Sequence, residues 1–150
     1  MTIYFYKVDA PYGCFSNFSP HGIYLDGYYW PTVEHYYQAQ KFVGTADAAI
    51  IPIIRAAKTA QEAAFLGRDR TRQYRPDWEA VKLSVMRSAV LLKFLSHLDI
   101  QAILLSTQDE IIVENSPTDY FWGCGADGTG QNHLGKILMD IRRQIRQGLK

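Results

Sequence analysis

The stretch that most limits how this chain can fold is residues 23–42. Asp26-Gly27 sits between two short apolar runs, Ile23-Tyr24-Leu25 and Tyr28-Tyr29-Trp30. A type I′ turn needs positive φ at both central residues, and Asp-Gly is a dipeptide that supplies it, so the segment reads as a tight β-hairpin. Pro31-Thr32 follows at once and opens a helix running to about Phe42, with Thr32 as its N-cap. A hairpin that feeds straight into a helix commits the chain to a mixed architecture.

The remaining elements are mostly helical. A strand is expected over 3–6 and another over 111–114. Helices are expected over 46–57, where Pro52 should kink or divide the segment, and over 60–66, capped by Thr59 and stopped at Gly67. The longest helix should run from about Pro76 to Leu98, followed by a short one over 99–106. A glycine-rich loop, 122–130, leads to a last helix over 131–147. No repeat, low-complexity tract or linker interrupts the 150 residues, so the expectation is one α+β domain over 1–150, predominantly helical, with a small sheet of short strands.

Composition excludes several classes. A charged fraction of 21% beside a hydrophobic fraction of 47% is that of an ordinary globular protein. Ten tyrosines against seven phenylalanines suggest walls that are apolar on one side and wet on the other. The first residues carry neither a basic nor an apolar signal region, and no apolar run reaches the roughly 20 residues of a membrane helix. Cys14 and Cys124 make no metal-ligand spacing and read as cytoplasmic thiols. A net charge of +1 argues against a general nucleic-acid binder. It is unevenly spread, however, with nine Lys/Arg and four Asp/Glu between Arg55 and Lys93.

Three groups of residues could carry chemistry. Glu34, Gln38 and Lys41 recur at i, i+4 and i+7 and form one stripe of the 32–42 helix. On spacing alone that stripe is a solvated face with a weak Glu-to-Lys pair, and Glu34 a carboxylate favoured by the helix dipole. His35 points elsewhere and reads as a hydrogen-bonded structural histidine. The second group is Gly67-Arg68-Asp69-Arg70 followed by Trp78 and Lys82, with Arg72 and Arg75 completing a cluster of four arginines within eight residues. Guanidinium forks match phosphate oxygens, and Trp78 could stack on a base, against the plainer reading of a solvated basic surface and a core tryptophan. Lys82 and Lys93 share nearly one face of an otherwise apolar helix, and snorkelling to the surface is their plainer reading. The third group is the loop from Asp119 through Trp122, Gly123, Gly125, Gly128 and Gly130 to Asn132. It holds a literal G-x-G-x-x-G, yet no βαβ unit or following acidic residue accompanies it. What glycines offer there is close backbone approach, and the helix that follows offers N–H groups to an anion; the plainer reading is a mobile loop.

Taken together, Phe15-Ser16-Asn17-Phe18, Trp30-Pro31-Thr32-Val33-Glu34-His35 on to Phe42, Gly67-Arg68, Trp78 with Lys82 and Met86, and Asp119-Tyr120-Phe121-Trp122-Gly123 with Asn132 to Met139 resemble the YbiA-like, or NADAR, family. The resemblance runs over essentially the whole chain in order. It implies a YbiA-like fold and an N-glycosidase that cuts the ribosyl–nitrogen bond of ribosylaminopyrimidine 5′-phosphates, early intermediates of riboflavin formation. Relatives in the family remove ADP-ribose from guanine bases. By matching motif, the functional carboxylate falls on Glu34, the functional tryptophan on Trp78 and the functional aspartate on Asp119. No metal and no cofactor are implied.

Cleaving a ribosyl–nitrogen bond builds positive charge on C1′ and O4′, so it calls for a stabilising carboxylate and a group that moves a proton. Glu34 is expected in the acid–base role and Asp119 in the water-orienting or cation-stabilising role, with the two interchangeable on sequence. Trp78 would stack on the pyrimidine. Arg68, Arg70 and the Gly123–Gly130 backbone would hold phosphate, and Asn17, Gln38 and Asn132 would meet ribose hydroxyls or base edges, with Lys82 and Trp122 also lining the site. An alternative mechanism has Lys41 or Lys82 attack C1′. The partner is a small phosphorylated ribosyl-base. Nucleic acid enters only if the substrate is an ADP-ribosylated guanine, and a non-catalytic NAD or ADP-ribose-binding module is the competing class. Neither a membrane nor a particular oligomer is implied.

Overall fold

A computed structural model describes residues 1–148. In chain order its elements are β1 (Ile3–Phe5), a 3-10 turn (Gly13–Phe15), β2 (Ile23–Leu25), β3 (Tyr28–Trp30), α1 (Val33–Gln40), α2 (Ile50–Arg55), α3 (Ala60–Gly67), α4 (Trp78–Ser96), α5 (Leu98–Ser106), β4 (Ile112–Glu114) and α6 (His133–Arg146). Among the described residues the fold is α+β, six helices with short strands. The small sheet is two separate pairs, β1 with β4 and β2 with β3. The chain divides into two compact units, residues 17–93 in one and residues 1–16 with 94–150 in the other. Among the described residues no single helix is long and apolar enough to cross a membrane.

In the 17–93 unit, β2 and β3 pair antiparallel with Ile23 opposite Trp30 and Leu25 opposite Tyr28. Asp26 and Gly27 both take positive φ, 56° and 84°, the type I′ geometry that closes a two-residue hairpin. The Trp30 indole donates to Leu25 O (2.9 Å), and the Tyr36 hydroxyl donates to Asp26 (2.9 Å), tying the hairpin to α1. Thr32 caps α1, its Oγ1 accepting from the His35 amide at 3.2 Å; such a cap contributes about 1 kcal/mol. Every residue of α1 is buried, so this helix has no solvated face, and the sequence expectation of a surface stripe fails. α2 is shorter than expected. Residues 46–49 form turns, and the helix starts at Ile50, which puts Pro52 in the first turn, where its missing N–H has no helical partner to lose. α3 is capped by Thr59, as its Oγ1 accepts from the Glu62 amide. Its end differs from expectation: Gly67 lies within the helix, and the residue after it, Arg68, is right-handed (φ −88°). Gly67 is therefore not there for a left-handed cap.

In the other unit, β1 and β4 pair parallel, Ile3 with Ile112 and Phe5 with Glu114. Phe5 packs edge-on against Phe15 (5.7 Å), and Phe15 against Phe94 (6.0 Å). Asn132 is left-handed (φ 54°), so α6 begins at His133, two residues later than the sequence suggests. Leu134, Ile137, Leu138 and Ile141 supply its buried face. Cys14 and Cys124 are both thiols.

Candidate active site

α1 places three ionisable or polar side chains on one buried line. Glu34 is 5% exposed, Gln38 1% and Lys41 6%. Burying a carboxylate and an ammonium is costly unless each is held, and the structure shows what holds them. Gln38 Nε2 donates to Glu34 Oε2 at 2.6 Å, and the Arg68 guanidinium lies 3.9 Å from the same oxygen. The Glu34 amide donates to Asn17 O (3.1 Å), so residue 17 anchors the first turn of α1. The Asn17 amide nitrogen donates to Met86 Sδ (3.3 Å), and its Oδ1 is buried and accepts no hydrogen bond.

Lys41 sits at the C-terminal end of α1. Its ammonium donates two long bonds, to Gly67 O and to the Tyr74 hydroxyl, both 3.4 Å, and lies 5.0 Å from the Tyr74 ring centroid and 5.5 Å from that of Tyr37. Tyr74 donates in turn to Gly67 O at 2.7 Å. Burial pushes the Lys41 ammonium down to about 8. Glu34 opposes that shift, and the positive charges of Arg68, Arg70 and Lys82 add to it. A buried lysine that loses its proton near pH 8, with a carboxylate among its neighbours, is chemically unlike a surface lysine.

The four arginines separate by partner. Arg72 pairs with Asp69 (3.0 Å) and Arg75 with Asp77 (2.6 Å). Arg70 instead stacks on Tyr74 at 4.5 Å, and Arg68, with its side chain 67% exposed, reaches toward Glu34. Two guanidinium groups are thus at the Glu34–Lys41 line and two are spent elsewhere. Trp78 is 5% exposed and packs against Tyr37 (5.1 Å, 59°). Lys82 pairs with Glu79 at 2.7 Å. Lys93 does not snorkel; it is 1% exposed.

His35 serves the frame. Its Nε2 lies 3.0 Å from Ala57 O, an acceptor only, so that nitrogen carries the proton; Nδ1 then takes the Thr32 hydroxyl at 2.8 Å. Burial lowers its pKa, which keeps the ring neutral in this arrangement.

Asp119, Trp122, Gly123, Gly130 and Asn132 belong to the other unit. Asp119 Oδ1 accepts from the Phe121 and Trp122 amides (3.0 and 2.8 Å), which shapes the loop. Trp122 packs edge-on against Phe121 (4.8 Å). The amides at the start of α6, expected to face an anion, are consumed internally. Gln131 donates to Tyr120 O, Asn132 to Gly123 O, His133 to Phe121 O and Leu134 to Trp122 O, while Gly130 donates to Cys124 O. The loop nevertheless walls a depression of about 480 Å³ with Tyr4, Val113 and Asn115. Asn132 spans β4, its Nδ2 donating to Ile112 O (2.9 Å) and its Oδ1 accepting from the Glu114 amide (3.0 Å). Among the described residues no group of three His, Cys, Asp or Glu could hold a metal ion.

Sequence reasoning missed Tyr74, and it read Gly67 as a helix stop and as the head of the Arg68–Arg70 group, not as the residue that Gln38 lies against. An aromatic residue inside an arginine-rich segment is the available signal for Tyr74, since guanidinium groups stack on rings.

Comparison with known proteins identifies the family of the chain. The NADAR domain model matches residues 4–146. The chain is 68% identical to N-glycosidase Npun_R5314 of Nostoc punctiforme over 97% of this chain and 94% of that protein. It is 44% identical to N-glycosidase YbiA of Escherichia coli over 95% of this chain and 88% of that protein. The NMR structure of E. coli YbiA matches with a TM-score of 0.88, covering 98% of this chain and 88% of that one. The chloroplastic riboflavin biosynthesis protein PYRR of Zea mays is 45% identical over 95% of this chain, which spans 25% of that longer protein. With the family model covering nearly the whole chain and close relatives matched end to end, the chain belongs to the NADAR family and is an N-glycosidase.

Proposed function

We propose that the enzyme hydrolyses the ribosyl–nitrogen bond of a ribosylaminopyrimidine 5′-phosphate, releasing ribose 5-phosphate and the free aminopyrimidine, and that it does so in the cytoplasm. The observation that carries this reading is the buried Glu34 carboxylate, held by Gln38 at 2.6 Å with the Arg68 guanidinium at 3.9 Å. A desolvated carboxylate beside cationic groups suits both proton transfer and stabilisation of an oxocarbenium-like centre. The naming of the maize relative for riboflavin biosynthesis points to the same substrate class.

In the proposed reaction the C1′–N bond breaks, and its electron pair stays on the departing nitrogen, which takes a proton from Glu34. Water adds to C1′ and returns a proton to the carboxylate. Arg68 and Arg70 bind the phosphate, and Trp78 and Tyr37 form the apolar side of the base pocket. The family resemblance assigns Asp119 the second carboxylate's role, water orientation or cation stabilisation. A second reading is favoured by the lowered pKa of Lys41: the neutral amine attacks C1′, displaces the base and passes through an imine of the opened sugar. Borohydride added during turnover separates the two, because only the imine leaves a ribosyl adduct on Lys41.

The test of substrate class is incubation with a ribosylaminopyrimidine phosphate in one vessel and an ADP-ribosylated guanine oligonucleotide in another, with mass spectrometry of the products. Ribose 5-phosphate from the first is the expected result. Turnover of the second alone would replace the reading with nucleic-acid repair.

A further inference from the structure

Gly67 occupies the last helical position of α3 with ordinary right-handed neighbours and no positive φ. Alanine is intrinsically better than glycine inside a helix, so the backbone gives no reason for this residue. Its surroundings do. A Cβ at position 67 would stand 2.2 Å from Gln38 Oε1, 2.6 Å from Gln38 Cβ and 2.8 Å from Gln38 Cδ. Turning the carboxamide relieves the first of these but not the second, because Cβ is fixed to α1. Helices α1 and α3 would have to part at this point, carrying the Gln38 amide off Glu34.

That side chain has one polar task in the described structure. Nε2 donates to Glu34 Oε2, while Oε1 is buried and accepts no hydrogen bond. An acceptor buried without a partner destabilises the fold. The orientation persists because Gly67 lets the amide lie flat against α3 with its nitrogen aimed at Glu34. The carbonyl of the same glycine accepts from both Tyr74 and Lys41. One residue therefore seats both groups of the proposed chemistry, Glu34 through Gln38 and Lys41 directly.

We propose that Gly67 is a positioning residue for the N-glycosidase reaction, its missing side chain setting the Gln38–Glu34 bond and its carbonyl, locked by the Tyr74 hydroxyl, setting the Lys41 ammonium. This rests on the reading that Glu34 carries the chemistry. A displacement of about an ångström at a reacting group is enough to slow an enzyme about 100-fold.

The experiment is a cycle of Gly67→Ala, Gln38→Gly and the double variant, assayed for ribose 5-phosphate release, with Glu34→Gln and Tyr74→Phe alongside. Gly67→Ala should lower kcat about 100-fold with KM nearly unchanged. In the Gln38→Gly background no side-chain atom is left at position 38 and the added methyl finds room, so the double variant should be no slower than Gln38→Gly itself. Should Gly67→Ala fail to fold, recovery of folding in the double variant supports the same clash, and failure of both to fold overturns it. Tyr74→Phe keeps the ring but removes one acceptor from the ammonium. The limb of the pH profile that follows Lys41 should then move down by about half a unit or more. Losses that add in the double variant, a Gly67→Ala enzyme within twofold of wild type, or an unmoved limb in Tyr74→Phe would overturn the assignment. An active Glu34→Gln enzyme removes the underlying reading as well. An inactive Glu34→Gln enzyme beside a fully active Gly67→Ala enzyme removes only the role of Gly67.

Discussion

The two units each contain a carboxamide laid over a glycine, and they use the pair in opposite ways. In one, Asn132 crosses Gly135, whose added Cβ would meet the amide at 2.4 and 2.5 Å and Ile112 O at 2.2 Å; both ends of the amide are bonded to β4. In the other, Gln38 crosses Gly67 with only its nitrogen bonded, to an ionisable side chain, while its oxygen goes without. The first arrangement bonds the amide at both its nitrogen and its oxygen, along the edge of a strand. The second leaves an acceptor unsatisfied to keep a carboxylate in place. Incomplete satisfaction inside a well-packed protein marks where structure yields to function. The difference yields predictions that separate activity from stability.

The largest effect belongs to Glu34. Glu34→Gln keeps the volume and can still meet an amide neighbour, but it cannot exchange a proton at neutral pH. The loss of kcat should be on the order of 1,000-fold, with a melting temperature close to wild type. Activity near wild type, measured as ribose 5-phosphate release, would dissolve the functional half of the comparison.

Gly135→Ala tests the structural half. Its new methyl meets a backbone carbonyl as well as the Asn132 amide, so β4 and α6 must part. The expected cost is about 3 kcal/mol, a fall in melting temperature on the order of 10 °C for a chain of this size. The kcat of the folded fraction should hold. Melting by circular dichroism, with active-site titration, reads both.

How much of this was legible in the sequence depends on the range of the interaction. The hairpin and the caps of α1 and α3 were, because Asp-Gly, Thr32 and Thr59 act on backbone within four residues. So was the separation of Glu34, Gln38 and Lys41 onto one line. Their burial was not: α2, α3 and the hairpin cover α1 on sides that its own periodicity cannot report. The parallel pairing of β1 with β4 joins residues more than 100 positions apart, and three-residue strands carry too little pattern to name a partner. The α6 start misled for a related reason. Helix N-termini commonly offer free amides, but a loop that folds back can fill them with its own carbonyls, as Tyr120 to Gly123 do. The role of Gly67 could be seen only once Gln38 lay over it.

Lys41 gives a smaller effect of opposite sign. Its folded pKa, about 8, lies below the ordinary lysine value of 10.5. Between those values the unfolded chain holds a proton that the folded chain has lost, so stability rises with pH across that window. The cost of burying the ammonium is present in full below pH 8. Lys41→Met, which removes the charge, should therefore stabilise the protein at pH 7 by on the order of 2 kcal/mol, and the gain should fade toward pH 10.5. Activity should fall. Chemical denaturation at pH 7 and pH 10 checks the sign; a destabilised Lys41→Met protein at pH 7 would mean that the ammonium is better held than its long bonds suggest.

The smallest predicted effect separates two arginines four residues apart. Arg72 is spent on Asp69 at 3.0 Å, whereas Arg68 reaches toward Glu34 at 3.9 Å with most of its side chain open to solvent. An exposed guanidinium at a buried acid–base group is placed to receive a phosphate rather than to hold the fold together, and exposed ion pairs contribute little to stability in any case. Arg68→Ala should raise KM for the phosphorylated substrate about tenfold, the loss of one charge-assisted contact, while kcat changes little. Arg72→Ala should leave KM within twofold. The same pair assayed on a dephosphorylated ribosyl-base sharpens the point, because the Arg68→Ala penalty should vanish when the phosphate is absent. A penalty that persists would move Arg68 from holding phosphate to tuning Glu34.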